Sequence, residues 1–220
     1  VGLLTIDLHE NGFLIESPLC AWSKSKKYSH PVDISLSKCI APRINRLRKK
    51  GADKIVILGN SLGANAAIRA GVIIDGIDAI VAMAPGHTPE HKFTRQNLDT
   101  KIRDAKAKIR SGNEKAKIEF EDFDQEQKKL LKVSAENFLS WFDPEGKAVM
   151  GLNAPQIKAH TAFLWIAGRG DIISDGTGKN IYDSVPPHPK SKFILVEGGH
   201  RDVRKFGKNL IIDWLKSLFI

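Results

Sequence analysis

The chain contains few of the residues from which small disulfide scaffolds and metal sites are built. Its 220 residues include only two cysteines, Cys20 and Cys39. Two cysteines are too few for a disulfide framework, and they lack the spacing of a zinc site. We therefore expect both to be free thiols, with a single disulfide as the alternative. The histidines outside the motifs described below also lack metal-ligand spacing, so no metal is expected.

Long apolar runs are absent as well, since the longest have the length of a strand. A membrane-spanning helix needs about 20 apolar residues, so we expect no stable membrane insertion. The chain also lacks an initiator methionine and a signal-like segment, and it opens at Val1 almost inside a predicted strand. We expect residues upstream to be missing. The compartment is therefore left open, with a slight preference for the cytoplasm.

The remaining composition, 42% hydrophobic and 27% charged, predicts one domain with a substantial core. The formal net charge of +9 raises nucleic acid or an anionic surface as possible partners. Neither a zinc-finger spacing nor an RNP-like aromatic motif accompanies this charge. We therefore favour a solvated basic face and expect no nucleic-acid partner.

The most informative stretch is the pentapeptide Gly59-Asn60-Ser61-Leu62-Gly63. The aliphatic run Ile55–Leu58 predicts a buried strand before it, and the alanine-rich run from Ala64 predicts a helix after it. A Gly-x-Ser-x-Gly turn between strand and helix is typical of a nucleophile elbow, in which a strained turn presents the serine hydroxyl. We expect both Gly59 and Gly63 to be required, because a Cβ atom at either would collide where the helix folds back.

Strands and helices alternate on both sides of this stretch. The predicted strands are Leu3–Leu8, Ile55–Leu58, Asp78–Ala84, Thr161–Ala167 and Ser191–Glu197. Besides the helix after Gly63, the predicted helices are Ile34–Lys50 with a kink or a break at Pro42, Asn180–Ser184, and Asp202–Phe219. Residues 13–32 show no period and predict a loop. This alternation predicts an α/β fold with a mostly parallel sheet flanked by helices.

The alternation lapses for about seventy residues after the third predicted strand. Two stripes of apolar residues at helical spacing lie there, separated by an acidic cluster at 119–126: Leu98, Ile102, Ala105 and Ile109, then Leu131, Ala135, Phe138 and Phe142. We expect a helical cap or lid insertion at 86–158, with the core formed by 1–85 and 159–220. The simpler alternative is a helical insertion that packs on the core without covering a site.

Two candidate partners of Ser61 each follow a predicted strand on a glycine-rich turn. Asp171 ends Gly168-Arg169-Gly170-Asp171, and His200 ends Gly198-Gly199-His200. A serine hydroxyl is a poor nucleophile near neutral pH and needs an adjacent base, which a third group orients. We predict His200 as the base and Asp171 as the orienting acid. Asp175, later in the same loop, is the alternative acid.

These three motifs resemble the serine-hydrolase motifs of the α/β-hydrolase superfamily, where nucleophile, acid and base follow in this order. Asp7-Leu8-His9-Glu10-Asn11-Gly12 is similar to a strand-to-loop segment that precedes the elbow in that family. The resemblance covers Leu3–Ile220, with 86–158 in the place of the family's cap. It implies the backbone N–H of Leu62 as one oxyanion donor. The strand that supplies the second donor in the family is not found, so that donor is expected upstream or, alternatively, within His9–Phe13.

The motifs and the resemblance together predict a serine hydrolase that cleaves an ester or related acyl bond of a small molecule. Asn60 and His87 are expected to line the substrate site, and no cofactor is implied. A non-catalytic α/β-hydrolase-fold binding protein is the first alternative, because only one oxyanion donor is identified. A binder of an anionic polymer or membrane surface through Lys101–Lys117 is the weaker alternative.

Overall fold

In the computed structural model, which describes residues 2–22, 28–124, 127–171 and 176–219, the chain divides into two compact units. The first unit is Val1–Leu19, Leu36–His87 and Met150–Ile220, and the second is Cys20–Ser35 and Thr88–Val149. The inclusion of Cys20–Ser35 in the second unit was not indicated by the sequence, because these residues lie far from 86–158 along the chain.

The first unit is built on a parallel sheet of four strands. They are β1 (Val56–Ser61), β2 (Ala79–Pro85), β5 (Ala162–Gly168) and β6 (Lys192–Val196), in the order β1-β2-β5-β6. Every residue of β2 and β5 is buried, whereas β1 and β6 are mostly half-buried. The apolar runs of the central strands follow from this arrangement, because helices cover both faces of a parallel sheet.

Helices pack against the two faces of this sheet. On one face, α9 (Val203–Phe219) shares a core with alternate residues of the central strands, among them Val81 and Leu164. On the other face, α4 (Leu62–Ile73) contacts β1 and β2, and Gly71 lies directly against Ile80. Successive strand residues point to opposite faces, so Ile80 and Val81 serve different layers. Two short helices, α7 (Met150–Asn153) and α8 (Thr177–Asp183), complete this unit together with a 3-10 helix at Ala154–Gln156.

The amino-terminal part of the first unit differs from the sequence prediction. The predicted strand Leu3–Leu8 is wrong, because these residues belong to the helix α1 (Gly2–Glu10). Leu4 and Leu8 are buried four residues apart while Ile6 is 55% exposed, which is the spacing of a helix. The predicted kink near Pro42 is confirmed as a break between α2 (Val32–Cys39) and α3 (Ala41–Lys49).

The second unit contains a β-hairpin as well as helices. Between α5 (Lys92–Arg110) and α6 (Ala135–Phe142), the strands β3 (Lys117–Asp124) and β4 (Gln127–Ser134) pair in antiparallel fashion. The insertion is therefore not purely helical, and the acidic cluster is largely a strand. Ile118, Phe120 and Asp122 are buried while Glu119 and Glu121 are exposed, a period of two. Glu119 is compatible with an exposed strand position because the basic residue Lys132 lies opposite it on β4.

The core of the second unit is a cluster of aromatic rings. Phe120 and Phe138 have ring centroids 4.8 Å apart, and Tyr28 and Phe142 are 4.9 Å apart. The indole N–H of Trp141 donates to the carbonyl oxygen of His30 at 2.9 Å. Buried aromatic rings in edge and stacked contacts contribute strongly to a core. The segment predicted as a loop thus supplies part of this core through Tyr28 and His30.

Two expectations about composition also have outcomes in the structure. Cys20 and Cys39 are disulfide-bonded, so the expectation of free thiols is wrong. Their separation along the chain gave no sign of this, because disulfide formation depends on the distance in space. Within the described ranges, no helix combines the length and the apolar character that crossing a membrane requires.

Candidate active site

Ser61 is the last residue of β1 and lies directly before the first residue of α4. Its backbone has φ 55° and ψ −122°, a conformation that non-glycine residues rarely adopt. A Cβ atom at Gly59 would lie 1.9 Å from the carbonyl oxygen of Gly63, so the expected collision exists at Gly59. At Gly63 it does not exist, because a Cβ there would meet no atom within 4 Å. The sharp turn therefore requires glycine on the strand side only.

The structure brings Ser61, His200 and Asp171 together. The Nε2 atom of His200 lies 3.0 Å from Ser61 Oγ, and its Nδ1 atom lies 2.7 Å from Asp171 Oδ2. A carboxylate only accepts hydrogen bonds, so Nδ1 carries the proton of a neutral imidazole and Nε2 is left to accept from the serine hydroxyl. The side chain of Asp171 is only 2% exposed, which shields this ion-dipole contact from water. Asp175 lies outside the described residues.

Backbone contacts between two glycine-rich loops hold Asp171 and His200 close together. Gly170 N–H donates to the carbonyl oxygen of Gly198 at 2.9 Å. A Cβ atom at Gly168 would lie 2.5 Å from that same oxygen, so only glycine permits the approach. Asp202 accepts a hydrogen bond from Gly199 N–H at 2.9 Å and fixes the turn before His200. The glycines that precede Asp171 and His200 in the sequence therefore form the contacts between the two loops.

The other predicted site residues lie on the neighbouring strand ends. Asn60 is half-buried on β1, one residue before Ser61. His87 is half-buried on the turn that follows β2, with a φ of 64°. Its carbonyl oxygen accepts a hydrogen bond of 2.7 Å from Asn65 Nδ2 on α4. A role of Asn60 and His87 in binding substrate stays a prediction.

Only one of the expected oxyanion donors has a counterpart among the described residues. Leu62 begins α4, where the first backbone N–H groups of a helix have no partner within the helix. The alternative donor segment His9–Phe13 does not fit, because the N–H groups of its last three residues donate within their own turn. Their acceptors are the carbonyl oxygens of Asp7 and Leu8 for Asn11, His9 for Gly12 and Leu8 for Phe13.

The described part of the chain contains no group of three or more histidine, cysteine, aspartate or glutamate residues that could hold a metal ion.

Comparison by sequence finds no matching family model and no matching curated protein. Comparison by structure does find similar proteins. A monoacylglycerol lipase of Paleococcus ferrophilus is 20% identical with a TM-score of 0.64, over 98% of this chain and 88% of that one. One of two metagenome-derived lipolytic enzymes is 14% identical with a TM-score of 0.62, over 99% and 86%. The chain has the α/β-hydrolase fold.

A further similar structure is a thermostable carboxyl esterase from Bacillus coagulans, 12% identical with a TM-score of 0.57, over 81% of this chain and 69% of that one. The predicted fold class, a mostly parallel sheet flanked by helices, is therefore confirmed. In an open α/β sheet such as this one, ligands bind outside the carboxyl ends of the strands. Ser61, Asp171 and His200 all lie at that end of the α/β-hydrolase sheet, because Ser61 is the last residue of β1 and the other two follow β5 and β6 respectively.

In this α/β-hydrolase fold, sequence reasoning missed Gly86, which contacts Ser61, and Asn65, which contacts the next residue, His87. Gly86 follows β2, and its N–H donates to the carbonyl oxygen of Ser61 at 3.3 Å. Asn65 is fully buried on α4, the helix that begins within the pentapeptide. The signal available in the sequence was a single asparagine within an alanine-rich helix. A buried amide needs hydrogen-bond partners, so such a residue is expected to hold a neighbouring segment.

Proposed function

We propose that this chain is a serine hydrolase that cleaves an ester or related acyl bond of a small-molecule substrate. The observation that carries the proposal is the pair of contacts made by His200, 3.0 Å to Ser61 Oγ and 2.7 Å to Asp171 Oδ2. This is the arrangement in which an oriented base activates a serine nucleophile. Ser61 adds support, because it lies on a strained turn at the amino end of a helix, as a nucleophile elbow requires.

Acylation begins when Ser61 Oγ attacks the carbonyl carbon of the substrate and His200 Nε2 accepts the hydroxyl proton. Asp171 stabilises the resulting imidazolium through Nδ1–H and keeps the ring oriented. The oxygen of the tetrahedral intermediate becomes negative, and Leu62 N–H donates to it near the positive end of the α4 dipole. His200 then returns the proton to the leaving alcohol as the bond between the carbonyl carbon and the alcohol oxygen breaks.

Deacylation repeats these steps with water as the nucleophile. His200 Nε2 accepts a proton from the water as its oxygen attacks the acyl carbon. The second tetrahedral intermediate then collapses, the bond to Ser61 Oγ breaks, and Oγ regains its proton from His200. The products are a carboxylic acid and the regenerated enzyme, and no cofactor takes part.

The substrate class is supported by the fold rather than by a bound molecule. Among the similar structures, one is named a monoacylglycerol lipase and another a carboxyl esterase. These names favour an ester over an amide for this chain. We propose that Asn60 and His87 contact the substrate, because they flank Ser61 and Gly86 along the chain. The cap role of 86–158 is likewise a proposal, which rests on its insertion between β2 and β5.

A non-catalytic binding protein of the same fold is the second candidate. It is favoured by one observation, that Leu62 is the only oxyanion donor identified within the described residues. Loss of one donor costs about a hundredfold or more in rate, so a protein with half of the oxyanion hole would be a slow enzyme. Binding of an anionic polymer through Lys101–Lys117 gains no support, because Lys106, Lys108 and Lys115 each pair with a carboxylate.

A fluorophosphonate probe tests the proposal, because it reacts covalently with activated serine residues. We expect the folded protein to be labelled at Ser61, and S61A to remain unlabelled. Exposed Ser111 provides the control, and S111A is expected to be labelled at the wild-type rate. Labelled peptides are identified by mass spectrometry, and circular dichroism verifies that each variant is folded. A folded wild-type protein that is not labelled would contradict the proposal and favour the binding protein.

A further inference from the structure

Gly86 lies directly against the reacting atoms of the proposed site. A Cβ atom at this position would be 2.9 Å from Ser61 Oγ and 3.4 Å from His200 Cε1. Carbon atoms pack best at about 3.5–4.0 Å, so even a methyl group would overlap the serine hydroxyl. Gly86 does not have a positive φ. Glycine is therefore required here by the lack of space and not by the backbone conformation.

The turn that carries Gly86 is held in place from both sides. Gly86 N–H donates to Ser61 O at 3.3 Å, and the buried Asn65 donates to the carbonyl oxygen of His87 at 2.7 Å. Ala84 and His87 both have positive φ, at 42° and 64°. Such strained conformations persist only where surrounding contacts over-determine them. The turn therefore cannot easily move away from Ser61 to make room for a larger residue.

The reaction needs the space that a side chain at position 86 would fill. When Ser61 Oγ bonds to the acyl carbon, that carbon carries three further substituents, all within about 2.5 Å of Oγ by ordinary bond lengths. His200 occupies one side of Oγ, and the helix amino end at Leu62 is reserved for the oxyanion. Gly86 contributes only backbone atoms beside Ser61 Oγ, so there is space along it for a substituent of the acyl carbon.

We propose that Gly86 is a specificity-determining residue, whose missing side chain sets how large a group the site accepts beside the nucleophile. This inference rests on the proposed serine-hydrolase function. An added methyl group should impair reaction more for esters that are branched at the carbon next to the carbonyl than for acetyl esters. The substrates that suit the native site are therefore esters with a branched carbon next to the carbonyl, whose bulk lies against position 86.

The kinetic test compares G86A with G151A, another glycine-to-alanine change in the same unit. A Cβ at Gly151 would meet nothing nearer than Ile181 Cγ1 at 3.9 Å, so G151A serves as the control. We expect G86A to lower kcat/KM for p-nitrophenyl acetate about tenfold, and for p-nitrophenyl isobutyrate about a hundredfold, within the range that one methylene group can discriminate. G151A should stay close to the wild-type values for both esters.

A double-mutant cycle tests the contact without relying on activity. Because the added methyl group collides with Oγ, G86A should lower Tm by about 2–4 °C more in the wild-type background than in S61A. Equal shifts in both backgrounds would show that position 86 does not abut Oγ and would overturn the inference. The cycle also separates this collision from a general folding defect, which would lower Tm in both backgrounds alike.

The outcomes distinguish this inference from the proposed function. If wild-type protein hydrolyses the esters and G86A does so equally well, the inference is overturned and the serine-hydrolase proposal stands. If wild-type protein neither hydrolyses the esters nor reacts with the fluorophosphonate probe, the proposed function fails and the inference fails with it. A fall that is equal for both esters would also overturn the role in specificity.

Discussion

The two units of the chain position their side chains by different means. In the first unit, close backbone approaches at Gly59, Gly86 and Gly168 leave no room for a Cβ atom beside the candidate site. In the second unit, the positions are set by bulky rings that fill space, such as Phe138 and Trp141, both fully buried. Tight backbone contacts fix the directions of polar groups, whereas ring packing mainly contributes stability. Substitutions at the candidate site in the first unit should therefore change rate, and those in the aromatic cluster of the second should change stability.

The largest expected effect is on rate, from D171N in the first unit. An asparagine cannot hold His200 in the tautomer that leaves Nε2 free to accept, so we expect kcat to fall about ten-thousandfold. The free energy of unfolding should change little, because the substitution preserves shape. Ester hydrolysis and thermal unfolding measure the two quantities. Asp183, exposed and paired with Lys179, supplies the control D183N, which should keep wild-type activity. A fall of less than tenfold in D171N would remove Asp171 from the proposed triad.

The proximity of Ser61, Asp171 and His200 and the alternation of strands around them could be predicted from the sequence. Asp171 and His200 each follow an apolar run and lie next to a glycine, and Ser61 lies between Gly59 and Gly63; these signals are all local. The strand and helix ends agree with the structure within a few residues at β2, β5, β6 and α9. The strand predictions succeed because strands that are buried on both faces have continuous apolar runs in the sequence.

The contacts that complete the site could not be predicted in the same way. Asn65 and His87 meet across 22 residues, and Gly86 meets Ser61 because β1 and β2 are neighbours in the sheet. Neither contact leaves a periodic pattern. At Leu3–Leu8 the aliphatic content suited a strand, but the burial of Leu4 and Leu8 followed a helix. In the hairpin, acidic residues on the exposed face concealed the alternation that burial makes plain.

The second largest expected effect is a loss of stability from F138A in the second unit. Phe138 is fully buried and has ring contacts of 4.8 Å with Phe120 and 5.1 Å with Phe142. Removing a buried phenylalanine ring costs about 3–5 kcal/mol, because the cavity it leaves collapses only in part. Urea unfolding measures the loss. Leu130 is 65% exposed in the same unit, so L130A should lie within about 0.5 kcal/mol of wild type.

Hydrolysis of p-nitrophenyl acetate by F138A then sharpens the comparison between the units. When the rate of hydrolysis is measured well below the Tm of F138A, we expect it to stay within about threefold of wild type. The three proposed catalytic residues belong to the first unit, so the substitution should not affect them directly. A loss as large as that of D171N would show that the second unit does more than contribute stability. The contrast between the two regions would then have to be abandoned.

The smallest expected effect comes from Glu90, a polar group within the second unit. Its Oε2 atom is enclosed and has no hydrogen-bond partner among the described residues. Burial raises the pKa of the Glu90 carboxyl above its ordinary value of 4.5. Above this raised pKa the folded protein therefore holds a charge that is better solvated in the unfolded chain. As pH falls through the raised pKa the folded state takes up a proton and gains stability, and the gain is complete below the unfolded value of 4.5.

Replacing this carboxyl by an uncharged amide should reproduce at neutral pH what protonation does in acid. We expect E90Q to raise the free energy of unfolding by about 1 kcal/mol at pH 7, and the difference to vanish below pH 4.5. Urea unfolding of both proteins across this range measures it, with the exposed Glu114 as the control in E114Q. An equal gain at every pH would exclude ionisation as the cause. If E90Q lowered ester hydrolysis as well, a carboxylate retained at a cost in stability would mark a place where the second unit serves the reaction.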